Sequence, residues 1–407
     1  MTADSAKGEF RATMPRFLPD GKHFLCTMVN ADGSGSILWS APGESRHELV
    51  KAVSRADFTE PDQLLYVEDG TLFARRFDWK RGRVLGGATA VVDTVGYFFS
   101  NGSSAYAASP TGTLVYHSST NQYALRRFDR TGRDIGGVSG LGDYLDASLS
   151  SSDDRLLFSR SLGKLGTYDV WLCDLRRGTE TRLTPSINSD FGGVWVPGGR
   201  QIVYSSRQRG MPRIVVSDLE TGRTRPLARE AGFQVANDVS PDGRTLLFWE
   251  GATSGESHLW QVALAGGAPK RIFPESRGEH DTRFSPDGRW IAFLSPETGR
   301  DEVYVTTFPE PGSRIRVSTN GAMLLRWARK ANEIVYFDGQ RRLIAVPVRT
   351  GTRLELGEPR VLFTAATRWL DFDVTPDGSR IVAVEARNGA GELPMTVLTR
   401  WPQTLEH

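Results

Sequence analysis

The chain has 407 residues, 39% of them apolar, and 50 Lys and Arg face 48 Asp and Glu for a formal net charge of +2. So near-neutral a chain, without a basic run, has no electrostatic reason to seek nucleic acid or an anionic membrane, and no stretch of about 18 apolar residues is present to span one as a helix. With 43 Gly, 21 Pro and 10% aromatic residues, the composition is that of a turn-rich globular chain and not of a disordered or collagen-like one.

Met1 to Phe10 lacks the apolar centre of a secretory signal. Internal repetition starts directly after it. Leu18-Pro19-Asp20-Gly21-Lys22 is the first of nine turn segments. Thr59-Glu60-Pro61-Asp62, Ser109-Pro110-Thr111-Gly112, Ser150-Ser151-Ser152-Asp153 and Val196-Pro197-Gly198-Gly199 follow. After them come Val239-Ser240-Pro241-Asp242-Gly243-Arg244, Phe284-Ser285-Pro286-Asp287-Gly288-Arg289, Ala328-Arg329-Lys330-Ala331 and Val374-Thr375-Pro376-Asp377-Gly378. The mean step between them is about 45 residues, a period typical of stacked supersecondary units. In such a turn Pro presets φ, Asp caps, and Gly accepts a positive φ.

An apolar column stands two residues before the Pro position: Phe17, Phe58, Ala108, Leu149, Trp195, Val239, Phe284, Trp327 and Val374. Each turn is followed by an apolar triplet, as in Leu156-Leu157-Phe158, Leu246-Leu247-Phe248 and Ile291-Ala292-Phe293. Three consecutive apolar residues in a strand require burial of both faces, which radial blades supply because each is sandwiched between two neighbours. A third strand (Asp169 to Leu175, Glu302 to Phe308) and a fourth (Arg314 to Ser318) complete each repeat. The pattern predicts an all-β β-propeller of four-stranded antiparallel blades, nine repeats in number.

One domain over residues 1–401 is expected, followed by a tail, 402–407, in which Leu405-Glu406-His407 reads as an affinity-tag scar. The ninth repeat has only three strands, the third being Pro394 to Arg400. A continuous nine-bladed ring would borrow its missing strand from the residues before Phe10. The alternatives are eight blades, or a six-bladed ring of the last six repeats, completed by the strand Arg133 to Val138, with three extra repeats before it.

The repeated Ser-Pro-Asp-Gly-Arg with Ile291-Ala292-Phe293 and Val303-Tyr304-Val305 resembles the TolB-like group of WD-like propellers. Phe17 to Leu25, Asp69 to Asp78 and Gly288 to Phe293 are further similar to the C-terminal propeller of bacterial receptor-type serine/threonine protein kinases. That resemblance implies a sensor lying outside the cytoplasm. The chain has no kinase Gly-rich loop and no catalytic His-Arg-Asp, so kinase activity is not implied. Asp371-Phe372-Asp373 reads as a strand fragment.

No Gly-x-Ser-x-Gly elbow and no phosphate-binding loop is present. Cys26 and Cys173 read as buried thiols, and no His pair stands at ligand spacing, so neither metal nor cofactor is expected. His280, in Gly278-Glu279-His280-Asp281, is the one His beside a carboxylate at a blade entrance. The first residues of the innermost strands carry mixed charge: Arg16, Asp57, Asp238, Arg283, Arg326 and Asp373 three residues before the Pro position, Asp146, Asp281 and Asp371 five before it. They are the candidate channel and ligand residues, the competing reading being charge pairing that holds blade register. Tyr97-Phe98-Phe99 marks either a partner site or a strand edge tucked under a neighbouring blade, and the basic turn Arg207-Gln208-Arg209-Gly210 reads as solvated.

The expected function is a non-catalytic, monomeric binding, sensor or scaffold domain for a protein, peptide or small-molecule partner. A lyase or hydrolase using the channel carboxylates and His280, and a purely structural domain, are the alternatives.

Overall fold

The fold was described from a computed structural model. It describes residues 9–402 apart from 31–33, 69, 94, 99–102, 118–122, 163–166, 186–188, 208–211, 228–231, 252–256, 276, 352 and 387–394. Every named element is a β-strand, and all paired strands run antiparallel.

Among the described residues the strands form ten sheets, nine of three or more strands that follow the repeats in order and one two-stranded pair. Sheet one comprises Glu9–Phe17, Phe24–Asn30, Gly35–Ser40 and His47–Val50; sheet two comprises Ala56–Thr59, Gln63–Glu68, Thr71–Asp78 and Arg83–Val92. Sheet three has Tyr106–Ala108, Thr113–Tyr116 and, from the far end of the chain, Thr396–Thr399. Sheets four to eight are sequential. Their inner strands are Asp143–Leu149, Ser189–Trp195, Phe233–Val239, His280–Phe284 and Leu324–Ala328. Sheet nine takes Trp369–Val374 and Arg380–Ala386 from the C-terminal part, then Tyr123–Asp129 and Asp134–Gly137 from the middle.

The inner strands of sheets four to nine pack one on the next, and that of sheet nine packs back on that of sheet four. The last six repeats therefore follow one another in a closed circuit, with sheets one to three joined to each other before it. Two expectations about closure need correction. Pro394 to Arg400 does not extend the ninth sheet: Thr396–Thr399 pairs with Thr113–Tyr116 of sheet three. The ninth sheet is completed by two strands and not one, because Tyr123–Asp129 lies between Arg380–Ala386 and Asp134–Gly137. The strand beginning at Glu9 pairs only with Phe24–Asn30.

The seams are apolar and two-sided. Val203 and Ile214 of sheet five meet Val239, Leu246 and Phe248 of sheet six. Leu247 of sheet six meets Phe284, Ile291 and Phe293 of sheet seven. Leu246, Leu247 and Phe248 are consecutive, and all three are fully buried. Leu157, Val203 and Ala292 are equally buried. At the closing seam, Leu125, Val382 and Val384 of sheet nine meet Tyr144, Leu156 and Phe158 of sheet four. The column residue Phe17, by contrast, is 73% exposed, and no sheet among the described residues covers its ring.

The turn motif does what its residues suggest. The Ser285 hydroxyl donates to Asp287 Oδ1 at 2.6 Å and accepts from the Trp290 N–H at 3.0 Å, and the Gly288 N–H donates to the Ser285 carbonyl at 3.0 Å. Gly288 has φ 70°, in the left-handed region that Gly enters at no steric cost. Asp242, Asp287 and Asp377 are all held below the usual carboxylate range, Asp377 at about 2; at Asp242 and Asp377 the hydroxyl two residues earlier is the main cause, and at Asp287 burial opposes the shift and is outweighed by the Ser285 hydroxyl together with the Arg289 N–H and Thr350.

Leu247→Ala should lower stability by about 2–5 kcal/mol in urea unfolding, because it opens a cavity in a seam closed on both sides. Phe17→Ala should change it by under about 0.5 kcal/mol.

Candidate functional site

The inner strands of the circuit bring seven of the candidate residues together: Asp146, Asp238, Asp281, Arg283, Arg326, Asp371 and Asp373. The strand geometry explains how. Register shifts interrupt the inner strands at Tyr144/Ala147, Phe191/Val194, Ala236/Asp238, His280/Arg283 and Trp369/Asp371. Such bulges re-aim a side chain and end local pairing. Gly192 and Asp281 adopt φ of 68° and 45° there. Asp is one of the few non-Gly types that enter this region readily.

The re-aimed carboxylates reach the neighbouring sheet. Asp146 Oδ2 accepts the Gly192 N–H at 2.9 Å, and Asp238 Oδ2 accepts that of Phe284 at 2.8 Å. Asp281 Oδ2 accepts the Leu325 N–H at 3.1 Å. Asp371 and Asp373 accept from Ala147 at 3.0 Å and Leu149 at 2.7 Å, across the closing seam. Each bond runs from one sheet's carboxylate to the next sheet's backbone, so most of these acids carry the register role.

Guanidiniums tie the carboxylates together. Arg326 is buried; it pairs with Asp371 and lies 3.7 Å from Asp281 and 3.6 Å from Asp373. Arg283 pairs with Asp281 at 2.8 Å and donates to the Asn237 carbonyl at 3.0 Å. Arg329 donates to both Asp238 oxygens at 2.7 and 2.8 Å, reaching past sheet seven from sheet eight to sheet six. Arg329 was not anticipated. It stands at the Pro position of the most degenerate turn, and that departure from the motif was the available signal.

The charges shape one another. Burial opposes ionisation of Arg326, but Asp371, Asp281 and Asp373 outweigh it and raise its pKa. One guanidinium shared among three acids leaves Asp371 and Asp373 above the usual carboxylate range, because burial dominates. Asp281 falls below that range, since Arg283 and Arg326 together overcome its burial. Asp146 is pushed up to about 6 by burial, helped by nearby Asp371 and opposed by Ser159, and its Oδ1 is buried with no hydrogen-bond donor. Asp143, at the start of the same strand, is also raised to about 6 by burial, against the Tyr168 hydroxyl that donates to it at 3.1 Å.

The other three candidates stand apart from this network. Arg16 and Asp57 form their own pair at 3.2 Å between sheets one and two, with Arg55 on Asp57 at 2.6 Å. His280 Nδ1–H donates to the Gly278 carbonyl at 3.1 Å, and its Nε2 lies 3.7 Å from Asp301. Asp190-Phe191-Gly192, a tripeptide also met in kinase metal-binding loops, is part of an inner strand here. Tyr97–Phe98 forms a short hairpin with Ser103–Ser104, and Gln208-Arg209-Gly210 lies outside the described residues. Cys26 and Cys173 are buried and form no disulfide with each other. No group of three His, Cys, Asp or Glu suited to a metal occurs among the described residues, and no helix there is long and apolar enough to cross a membrane.

Arg326→Leu should cost about 3–5 kcal/mol in urea unfolding, since Asp371, Asp281 and Asp373 would keep their burial and lose their cation. A carboxyl whose folded pKa is raised stabilises the fold fully below its ordinary pKa and loses that contribution as pH rises to the folded value. Between pH 3.8 and about 6, wild type should therefore lose stability relative to Asp146→Asn, measured as the difference in urea midpoints across that range.

Comparison with known proteins agrees with this architecture. An uncharacterised protein of Agrobacterium fabrum is 26% identical over 150 residues, 37% of this chain and 48% of that protein. A TolB homologue of Chlorobium chlorochromatii is 27% identical over 155 residues, 38% of this chain and 34% of that one. The chain thus spans about half the length, or less, of these curated relatives. Among solved structures, a TolB of Agrobacterium tumefaciens superposes with a TM-score of 0.52 at 16% identity, covering 65% of this chain and 98% of that one, which is a likeness of fold. Residues 208–397 match the model of the TolB beta propeller domain. That segment, running from the outer half of sheet five through the inner half of sheet nine into Thr396–Thr399, is similar to TolB-type β-propeller repeats.

Proposed function

We propose that the chain is a non-catalytic binding propeller that takes a basic group of a protein partner at the strand-start mouth of its six-sheet circuit. The carrying observation is Asp146. Its Oδ2 is held by the Gly192 N–H and Ser159 also acts on the carboxylate, while its Oδ1 has no donor among the described residues and is the acceptor offered to a ligand. The charge balance agrees: Asp146, Asp238, Asp281, Asp371 and Asp373 share Arg283, Arg326 and Arg329, and Asp143 adds another acid at the mouth. An excess of carboxylates favours Lys or Arg side chains over acidic ones.

Binding is preferred to catalysis because Asp238, Asp281, Asp371 and Asp373 are engaged by backbone N–H groups and guanidiniums and His280 faces Asp301 and Gly278, so among the described residues Asp146 has no second free acid or base beside it for paired proton transfer. A general base needs a free acceptor within reach of the proton it abstracts. The TolB-type repeats suit a scaffold role, and the likeness to TolB proteins supports a place outside the cytoplasm. A sensor role beside a kinase rests on the sequence resemblance alone.

The test is fluorescence polarisation of the full chain with matched Lys/Arg-rich and Asp/Glu-rich peptides. Basic peptides should bind, release with rising salt, and weaken about tenfold in Asp146→Asn, the loss of one charged hydrogen bond. Equal binding of both peptide sets, or wild-type affinity in Asp146→Asn, would overturn the proposal.

A further inference from the structure

A cavity of about 140 Å³ opens at the closing seam between sheets nine and four. Its apolar floor is Leu149, Leu175, Ile381 and Val382, and Arg127 and Arg380 stand at its edge. Comparison of the seams explains why it exists. Trp195, in the apolar column of sheet five, lies under the Arg155 guanidinium with 4.6 Å from its ring centroid. Arg155 opens the second strand of sheet four as Arg380 opens that of sheet nine. The residue that should lie beneath Arg380 in the same register is therefore Leu149. Leucine fills less of the slot than an indole, and the cavity is the remainder. Its volume is close to the ~150 Å³ of an engineered apolar cavity that binds benzene.

The second observation is Arg127. It projects from Tyr123–Asp129, the strand that closes sheet nine, and it is half-buried. It makes no ion pair among the described residues, and its Nε is buried without a hydrogen-bond acceptor. The acids at the rim are already engaged: Asp153 with Arg380 at 2.5 Å, and Asp154 with Arg176 at 3.6 Å. A guanidinium left half-buried without an anion is costly, and an incoming carboxylate would offset that cost.

We propose that this seam cavity is a binding site for a small aromatic carboxylate. The ring would occupy the slot that an indole fills one seam further on, stacked under Arg380, and the carboxylate would meet Arg127.

Calorimetric titration and thermal shift of the full chain with phenylacetate, phenylacetamide and acetate test this. Phenylacetate should bind and raise the melting temperature. The neutral amide and the ringless acid should each bind at least about tenfold more weakly. Arg127→Gln should weaken phenylacetate by a similar factor. Leu149→Trp, which supplies the indole from the chain itself, should abolish binding while the protein stays folded, and so serves even where Arg127→Gln impairs folding. Equal binding of acid and amide, undiminished binding to Leu149→Trp, or no binding of phenylacetate to wild type would overturn the assignment.

Discussion

The rest of the structure depends on one demand: the second strand of each repeat carries apolar residues on both faces, so both faces must be covered. Leu246, Leu247 and Phe248 alternate between the seam with sheet five and the seam with sheet seven, and none is stable against water alone. A row of such sheets leaves an uncovered face at each end. Bending the row until sheet nine meets sheet four removes both ends at once, and six sheets achieve it.

Greasy faces set the stacking but do not set its register, because apolar contact is non-directional. Direction comes from the inner strands. A bulge turns an aspartate toward the next sheet, and its carboxylate accepts one particular N–H. The same device works at the closing seam through Asp371 and Asp373, so the joint between residues far apart in sequence is fastened like the joints between neighbours. Buried acids are costly, and Arg283, Arg326 and Arg329 offset that cost by sharing themselves among them. Structural pairing and candidate binding chemistry are thus the same residues. Asp146 is the one whose second oxygen the fastening does not use.

Much of this was legible in the chain. The Ser-Pro-Asp-Gly turns carry their own mechanism, and the triplets after them announce two-sided burial. The column residues from Trp195 onward are buried as the repeat implies. Phe17 is not, because a local pattern cannot tell whether a preceding sheet exists to cover it. Closure was less legible for a related reason. Thr396–Thr399 looks like the third strand of its repeat, and its alternation is equally good beside Thr113–Tyr116, where it lies. The channel acids were found by counting back from the turn, and the bulges that aim them were not, since a register shift is a property of two strands together. Arg329 was hidden by occupying a position that other repeats give to proline.

The exchange of strands has a topological consequence. Sheet nine needs Tyr123–Asp129 and Asp134–Gly137, which precede the rest of the circuit, whereas sheet three needs Thr396–Thr399, and Trp401 beside it, which follow the circuit. The polypeptide thus passes twice between the two groups of sheets: the six-sheet circuit is one contiguous stretch, residues 123–386, whereas sheets one to three are split between the residues before it and those after it. Residues 143–386 excised alone would form a horseshoe lacking its clasp, and residues 9–116 alone would lack the terminal indole that plugs their last sheet. The circuit can be cut out whole as residues 123–386, like an insert, whereas sheets one to three keep their last strand only if the chain on both sides of that insert is retained.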